Sequence, residues 1–429
     1  MRRGGGDRQR RGENDGVILA PESAVDQSAV NAPPPGALAG VRVLDLSRIL
    51  AGPSATQLLG DLGADVVKVE KPGAGDDTRR WGPPYVAGTD GQPTGESAYY
   101  LCANRNKRSI AIDLSTPEGR QTVLELAARA DVLVENYKAG DLARYGLSYE
   151  QLRPSCPRLI YCSITGFGHT GPYAARPGYD FLIQGMGGIM SLSGVPEGEP
   201  MKTGVGIADV MTGMYAATGI LAALHHRQTS GVGQHIDLSL MDTQIAWLIN
   251  AGTSYLLSRQ LPQRLGNGHP NIVPYQVFAT LDAPMILAVG NDAQFARFCR
   301  VAKLDELALE PRYATNPQRL AHRESLCERL ATALAERPRS HWLAALDAAG
   351  VPCGPVNNLG EVFADPHVAA RGAELRMPCD WAEGGQLSLL ANPLRLSATP
   401  PSYRHTPPRL DEHRDEVLRD WLGPQPGAD

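Results

Sequence analysis

Short apolar segments alternate with helix-forming segments through the first half of this chain, and this alternation limits the fold more than any other feature. The apolar segments are residues 41–46, 64–70, 109–114, 131–135, 159–164 and 234–239. Helices are predicted between them, one opened by Pro53 and one capped at Thr116. Near-continuous apolar strands separated by helices are typical of a parallel sheet that is covered on both faces. The sequence therefore predicts an α/β fold.

Polar and charged side chains follow these strands at the carboxyl edge of the predicted sheet, where ligands of such folds bind. They are Ser47, Arg48, Lys71, Asn136, Tyr137 and Lys138. The turn after the first strand lacks the G-x-G-x-x-G pattern that lets a backbone approach a pyrophosphate closely. A nicotinamide-dinucleotide site is therefore disfavoured.

Asp209 stands where a glycine-spaced segment, residues 201–206, enters a long apolar helix. The helix carries a predicted buried stripe of Val210, Met214, Ala217, Leu221 and Leu224, and it ends near residues 225–227. Two interpretations remain open for the carboxylate. It is either the N-cap of this helix, or a nucleophile that the helix dipole keeps ionised beside glycines that admit a substrate.

The 429 residues are too many for one small core, so more than one domain is expected. We predict a disordered leader at 1–37, a large domain beginning at 38–240, and a linker helix within 241–264. A smaller α+β domain is expected at 265–365, and residues 366–429 are expected to return to the large domain. Helices are predicted at 242–257, 293–302, 319–335 and 341–349.

Charge and cysteine content exclude several classes of protein. The formal net charge of −5 argues against a nucleic-acid or membrane-surface protein. We found no apolar run approaching the roughly 20 residues needed to cross a bilayer. The seven cysteines form no C-x-x-C pair, and the histidines show no H-x-x-x-H spacing. These patterns predict a cytoplasmic protein without a metal site.

Eight motifs, in this order along the chain, resemble those of the class III CoA-transferases. They are LAGVRVLDL (38–46), AGP (51–53), LGADVVKVE (62–70), GDDTR (75–79), NRNKRSI (104–110), DVLVENY (131–137), GIAD (206–209) and GVPCGPV (350–356). The resemblance covers nearly everything from Leu38 onward. It implies a Rossmann-like large domain, a small domain and an interlocked homodimer. It also implies acyl-CoA and carboxylate substrates without a further cofactor.

The resemblance implies a role for particular residues. Asp209 matches the family's nucleophile, which carries CoA as an aspartyl thioester. Residues that match its CoA contacts are Ile49, Leu50, Ala51, Lys71, Asn136, Tyr137 and Arg144, and Tyr179 lies beside them in the site. For each of these the alternative is an ordinary core or solvated side chain. A lid is expected at residues 266–269.

The motifs GDDTR (75–79), WGPP (81–84) and IVPY (272–275) resemble the succinyl-CoA:glutarate type most. A succinyl donor and a dicarboxylate acceptor such as glutarate are therefore expected, with Arg105, Arg79 or Lys202 as partner of the second carboxylate. Leu50 stands where the formyl-CoA enzyme has glutamine, which argues against formyl or oxalate. Tyr179 stands where related racemases have histidine. The alternatives are a racemase-like enzyme and a non-catalytic CoA-ester binding protein.

Overall fold

The computed structural model describes residues 35–423. The predicted leader, residues 1–37, lies outside the described residues except for its last three.

A six-stranded parallel sheet forms the centre of the molecule. Its strands are β1 (Arg42–Asp45), β2 (Asp65–Glu70), β3 (Lys107–Ala111), β4 (Val132–Glu135), β5 (Ile160–Thr165) and β6 (His235–Ser239). They lie in the order β3-β2-β1-β4-β5-β6, which is the order of doubly wound nucleotide-binding folds. The predicted α/β fold is confirmed, although the third strand ends at residue 111 rather than 114.

Helices cover both faces of this sheet. One face packs on α1 (Ala51–Asp61) and on a long helix at Ile207–Ser230. The other face packs on α2 (Pro117–Ala127) and on the C-terminal helix Arg414–Leu422, through Val417 and Trp421. Successive residues of β1, Val43 and Leu44, enter opposite cores. Burial on both faces explains why these strands are apolar without interruption.

Three further helices, together with the long helix already named, complete this part of the chain. They are α3 (Asp180–Met186), α4 (Ile207–Ser230), α5 (Leu240–Ala246) and α6 (Ile249–Ser258). The single helix predicted at 242–257 is wrong in detail, because turn residues 247 and 248 separate α5 from α6, and the assignment of 241–264 as a linker stays a prediction. Ile249 has φ +39° there, which interrupts the helical path.

The buried face of α4 differs from the predicted stripe. Met214 is 52% exposed and Leu221 is 37% exposed. The residues that are buried instead are Ala208, Met211, Thr212, Gly213, Ala216, Ala217, Ile220, Ala223, Leu224 and Arg227. Nearly every position of this helix is apolar or small, so periodicity could not identify the face that meets α1.

Within residues 35–423, α4 is also a helix that is long and apolar enough to cross a membrane by length and composition alone. The expectation that no apolar stretch approaches this length is therefore wrong for α4. The inner side of α4 is buried against α1 and the sheet, and Arg227 near its end pairs with Asp131 at 2.8 Å. These contacts are those of a core helix.

A second core lies farther along the chain, around Phe278, Phe298 and Trp342. Its antiparallel sheet consists of Tyr275–Ala279, Pro284–Ala288 and Cys353–Pro355. Its helices are Asp292–Ala302, Asp305–Leu309, Asn316–Ala321, Arg323–Leu334 and Arg339–Ala348. The helix predicted at 319–335 is therefore two helices, which meet at His322. The domain boundaries given above stay a prediction.

The remaining elements are short. Two antiparallel hairpins pair Tyr85–Ala87 with Pro93–Ser97 and Glu374–Pro378 with Gln386–Leu390, and neither was predicted. The short helices are Ala98–Leu101, Tyr149–Leu152, Leu359–Ala364 and Pro366–Ala370. Single 3₁₀ turns lie at Asp77–Arg80, Asp141–Tyr145, Ile189–Ser191, Pro311–Tyr313 and Glu383–Gly385.

The close approach of α4 to α1 depends on Gly213. A Cβ added there would lie 2.7 Å from the carbonyl oxygen of Ala51, which is backbone and has to shift. We expect Gly213→Ala to lower the free energy of unfolding by about 1–3 kcal/mol through overpacking. Gly219→Ala in the same helix is the control, because its Cβ would meet Ile236 at an ordinary 3.6 Å. Gly219→Ala should raise the free energy of unfolding by about 0.5–1 kcal/mol, because alanine has the higher helix propensity. Equal melting temperatures for the two variants would contradict this packing.

Candidate active site

The turn between β1 and α1, residues 46–50, forms one wall of the candidate site. Ile49 in this turn has φ +73°, in the left-handed region that β-branched residues avoid at a cost of about 1–2 kcal/mol. Leu50 occupies the N-cap position of α1. The first amides of α1 therefore open toward the carboxyl edge of the sheet, close to the loop after β4.

Asn136, in the loop after β4, holds this turn from the side. Its amide oxygen accepts a hydrogen bond from Arg48 N at 2.8 Å, and its amide nitrogen donates to Arg48 O at 2.6 Å. Two of the four hydrogen-bonding sites of the Asn136 side chain are used within the protein. A ligand can therefore bond only to the donor and acceptor sites of Asn136 that Arg48 does not use.

Asp209 is the third residue of α4, not its N-cap. Gly206 occupies the N-cap position. The carboxylate that accepts from the start of the helix is that of Asp180, which receives Ala208 N at 2.8 Å and Asp209 N at 3.3 Å. The N-cap interpretation of Asp209 is therefore wrong. The carboxylate of Asp209 does not cap the helix and is available for another role.

The electrostatic surroundings of Asp209 also differ from the sequence-based expectation. Burial, and after it the nearby Asp180 carboxylate, raise the pKa of Asp209 to about 7. The helix terminus was expected to keep the group ionised, but loss of solvent and a second acid outweigh it. At neutral pH Asp209 is poised between its two protonation states. Perturbation of this kind by burial and a specific neighbour is common in catalytic groups.

A cavity of about 240 Å³ opens beside Asp209 at the carboxyl edge of the sheet. Most of the predicted site residues line it: Ile49, Leu50, Ala51, Asn136, Tyr137, Tyr179 and Asp209. Leu50 and Ala51 are buried, whereas Tyr179 is 65% exposed. Three cationic side chains also line this first cavity, namely Arg48, Lys138 and Arg176.

A second cavity, of about 600 Å³, adjoins the first and shares Arg48, Asp77, Tyr137 and Asp141 with it. The predicted residues Lys71 and Arg144 line this one, together with Arg80. Lys71, Arg80 and Arg144 are exposed to solvent. All nine residues predicted from the sequence thus surround two connected cavities, and their individual ligand contacts stay a prediction.

The three cations predicted to meet a second carboxylate are elsewhere. Arg79 is buried and pairs with Glu70 at 2.7 Å, and Arg105 is buried and pairs with Asp61 at 2.6 Å. Lys202 is exposed and lines neither cavity. The assignment is wrong for Arg79 and Arg105, because a motif does not reveal which of its cations is already neutralised, and for Lys202 it stays a prediction. Arg176 was missed, although its place in a glycine- and proline-rich loop after β5 is a usable signal.

The segment predicted as a lid, residues 266–269, packs against another loop of the same chain. Gly266 N donates to Gly194 O at 3.0 Å, and neither cavity includes residues 266–269. A lid function stays a prediction. Within residues 35–423 no group of three or more His, Cys, Asp or Glu side chains could hold a metal ion.

Comparisons with known proteins agree with the geometry. The model of CoA-transferase family III matches residues 38–414. Succinate–glutarate CoA-transferase of Agrobacterium fabrum is 50% identical over 90% of this chain and 96% of its own length. Human succinyl-CoA:glutarate CoA-transferase is 43% identical over 90% of this chain and 86% of its own. The crystal structure of a CAIB/BAIF family protein from Brucella suis is 47% identical with a TM-score of 0.80, over 90% of this chain and all of that one.

The raised pKa of Asp209 predicts that the free energy of unfolding depends on pH. An unfolded aspartate ionises near pH 3.8, whereas Asp209 in the folded protein ionises near pH 7. The folded state is therefore penalised progressively from about pH 4 upward, and fully above pH 7. We expect Asp209→Asn to melt at a higher temperature than the parent at pH 8, with a gain on the order of 1–3 kcal/mol.

The stability that Asp209→Asn gains over the parent should decrease toward pH 5. Thermal denaturation of both proteins across the pH range measures this difference. The control is Asp380→Asn in an exposed turn outside the helices and strands, which should melt close to the parental temperature throughout this pH range. A gain from Asp209→Asn that does not change with pH would show that the carboxylate is not perturbed.

Proposed function

The chain belongs to CoA-transferase family III, and from this premise we propose that it moves coenzyme A from succinyl-CoA to glutarate through Asp209. The observation that carries the proposal is the placement of a half-buried carboxylate, with a raised pKa, at the wall of a narrow cavity that adjoins a wider one carrying the exposed Lys71, Arg80 and Arg144. The names of the two relatives reported above support the choice of donor and acceptor.

The two cavities suit the two ends of an acyl-CoA. Coenzyme A carries phosphates at its nucleotide end, and the exposed Lys71, Arg80 and Arg144 of the wider cavity supply the positive charge that phosphates need. The acyl end then lies in the narrower cavity beside Asp209. Buried Leu50 and Ala51 line that cavity with apolar surface, which favours exclusion of water from reactive intermediates.

The reaction needs one nucleophile and no external base. The Asp209 carboxylate attacks the donor thioester and forms a mixed anhydride, while CoA leaves as its thiolate. The thiolate attacks the Asp209 carbonyl, releases succinate and leaves an aspartyl-CoA thioester. Glutarate then attacks this thioester to form a second anhydride, and the thiolate resolves that anhydride to glutaryl-CoA. Asp209 regains its carboxylate, with no net gain or loss of protons.

A dicarboxylate leaves one carboxylate unreacted in the site, and this charge needs a cation. The narrower cavity offers Arg48, Lys138 and Arg176. Arg48 already pairs with Asp77 at 2.8 Å. Arg176 stacks on Phe167 and Tyr173 in the loop after β5, with its guanidinium 4.6 Å from the Tyr173 ring centre. We favour Lys138 and Arg176 as partners of the second carboxylate.

We further propose that the enzyme is a homodimer in the cytoplasm. Helices α3, α4 and α5 pack on one another, and each exposes large apolar side chains, such as Phe181, Met214 and Ile245. Helix α6 and the segment after it add Leu257 and Leu261, both at least 80% exposed. Surfaces of this kind are typical of interfaces. All seven cysteines are unpaired, as in a reducing compartment.

The transfer proposal is tested by incubating the protein with succinyl-CoA and a pool of carboxylates, and measuring CoA esters by mass spectrometry. We expect glutaryl-CoA to form in preference to esters of monocarboxylates. Without an acceptor, the intact protein should gain the mass of CoA less one water. Asp209→Ala should abolish both signals and still bind CoA esters, while Asp347→Asn should retain both. A fully active Asp209→Ala variant would overturn the mechanism.

The dimer proposal is tested by light scattering of the purified protein. We expect the mass of two chains for the parent and a shift toward one chain for the double variant Leu257→Glu and Leu261→Glu. Leu309→Glu, at an equally exposed leucine outside this surface, is the matched control and should stay dimeric. A parent protein with the mass of one chain would reject the proposal.

A further inference from the structure

Side chains from four separate segments hold the backbone of the β1–α1 turn. Ser47 N donates to Asp45 at 2.9 Å, and Ser47 O accepts from Lys68 Nζ at 2.8 Å. Asn136 bonds both N and O of Arg48, as described above. Ile49 N donates to the two carboxylate oxygens of Asp76 at 3.2 and 3.3 Å. Each backbone N–H of residues 47–49 therefore has a side-chain acceptor.

Ile49 is the position in this turn that needs support. Its left-handed backbone is unfavourable for a β-branched residue, so the conformation persists only if surrounding contacts impose it. The contact made directly by its N–H is with Asp76. Ile49 is followed at once by Leu50 and Ala51, which line the cavity beside Asp209.

Asp76 has no hydrogen-bonding capacity left for a ligand. It is 1% exposed, and its carboxylate accepts from Thr78 N at 3.0 Å, from Thr78 Oγ1 at 2.8 Å and from Lys68 Nζ at 2.9 Å, besides Ile49. Lys68 is fully buried and donates to Ser47 O as well. The Lys68–Asp76 pair thus holds both ends of the strained turn.

We infer that Asp76, supported by Lys68, is a positioning residue for CoA transfer. It holds Ile49 in the left-handed conformation and thereby sets where the start of α1 meets the acyl end of the substrate beside Asp209. This inference rests on the proposed function. Asp76 acts through the backbone of Ile49, so its loss should affect turnover more than binding at the exposed cations of the second cavity.

The first test compares Asp76→Asn, Ile49→Gly and the double variant by steady-state kinetics. An amide has one acceptor oxygen where the carboxylate has two, so it cannot satisfy Ile49, Thr78 and Lys68 together. We expect Asp76→Asn to lower kcat about tenfold, with a smaller change in KM for the acyl-CoA. Asp61→Asn is the control, because Asp61 is an equally buried partner of an arginine away from the turn. Its kcat should equal that of the parent.

Relief of strain separates positioning from a general structural role. Glycine adopts the left-handed conformation without cost, so Ile49→Gly should raise kcat in the Asp76→Asn background, whatever it does in the parent. If the change in kcat of the double variant equals the product of the changes in the two single variants, the inference is overturned. If Asp76→Asn folds poorly, the pair Asp76→Asn with Lys68→Met removes both buried charges together and takes its place.

A second readout does not depend on activity. Hydrogen exchange of the Ile49 amide should accelerate in Asp76→Asn and remain at the parental rate in Asp61→Asn. A parent that transfers no CoA would defeat the proposed function, and the exchange rates would still decide whether Asp76 holds the turn. A parent that transfers CoA together with an Asp76→Asn variant of parental kcat would defeat this inference alone.

Discussion

Buried ion pairs that link β1, β2, the start of β3 and the loop after β2 are the constraint on which the rest of the structure depends. Asp45 pairs with Lys107 at 3.0 Å and Lys68 with Asp76 at 2.9 Å, with all four side chains inaccessible to solvent. Charges so placed are tolerated only when each has its partner, because removal of one leaves the other unpaired in a poorly solvating interior. Burial alone would raise the pKa of Asp45, and Lys107 and Lys68 reverse that effect. The Asp45–Lys107 pair therefore joins the end of β1 to the start of β3, and the Lys68–Asp76 pair ties β2 to the loop that follows it.

The site is built on that fixed edge. The β1–α1 turn receives its shape from Lys68, Asp76 and Asn136, and it faces the start of α4 across the narrower cavity. On the α4 side, Asp180 caps the helix and leaves the Asp209 carboxylate unused by backbone. The same acid contributes to the raised pKa of Asp209, after burial. One side chain thus positions the proposed nucleophile and influences its charge.

Much of the fold and most of the candidate site could be predicted from sequence. All six strands of the parallel sheet were identified because their apolar runs are local and bounded by turn residues. The nine candidate residues surround the two cavities because the ends of parallel strands meet at one edge, and the motifs that resembled a known family pointed to them. The α4 face was mispredicted, since a helix with apolar residues on all sides has no periodic signal to read. The break before Ile249 and the two short hairpins gave no clear local pattern.

The sequence by itself determined the parallel sheet, the edge that carries the site and the identity of Asp209, because hydrophobic periodicity and strand direction are properties of short segments. Only the tertiary structure decided which charged side chains are already neutralised by ion pairs. Arg79 and Arg105 have buried partners that lie far from them along the chain or in another element, whereas Arg176 lines the cavity. The cap supplied by Asp180, the pKa of Asp209 and the backbone of Ile49 also depend on such distant partners. Electrostatics and backbone strain are set by what surrounds a residue in space, and sequence order does not record it.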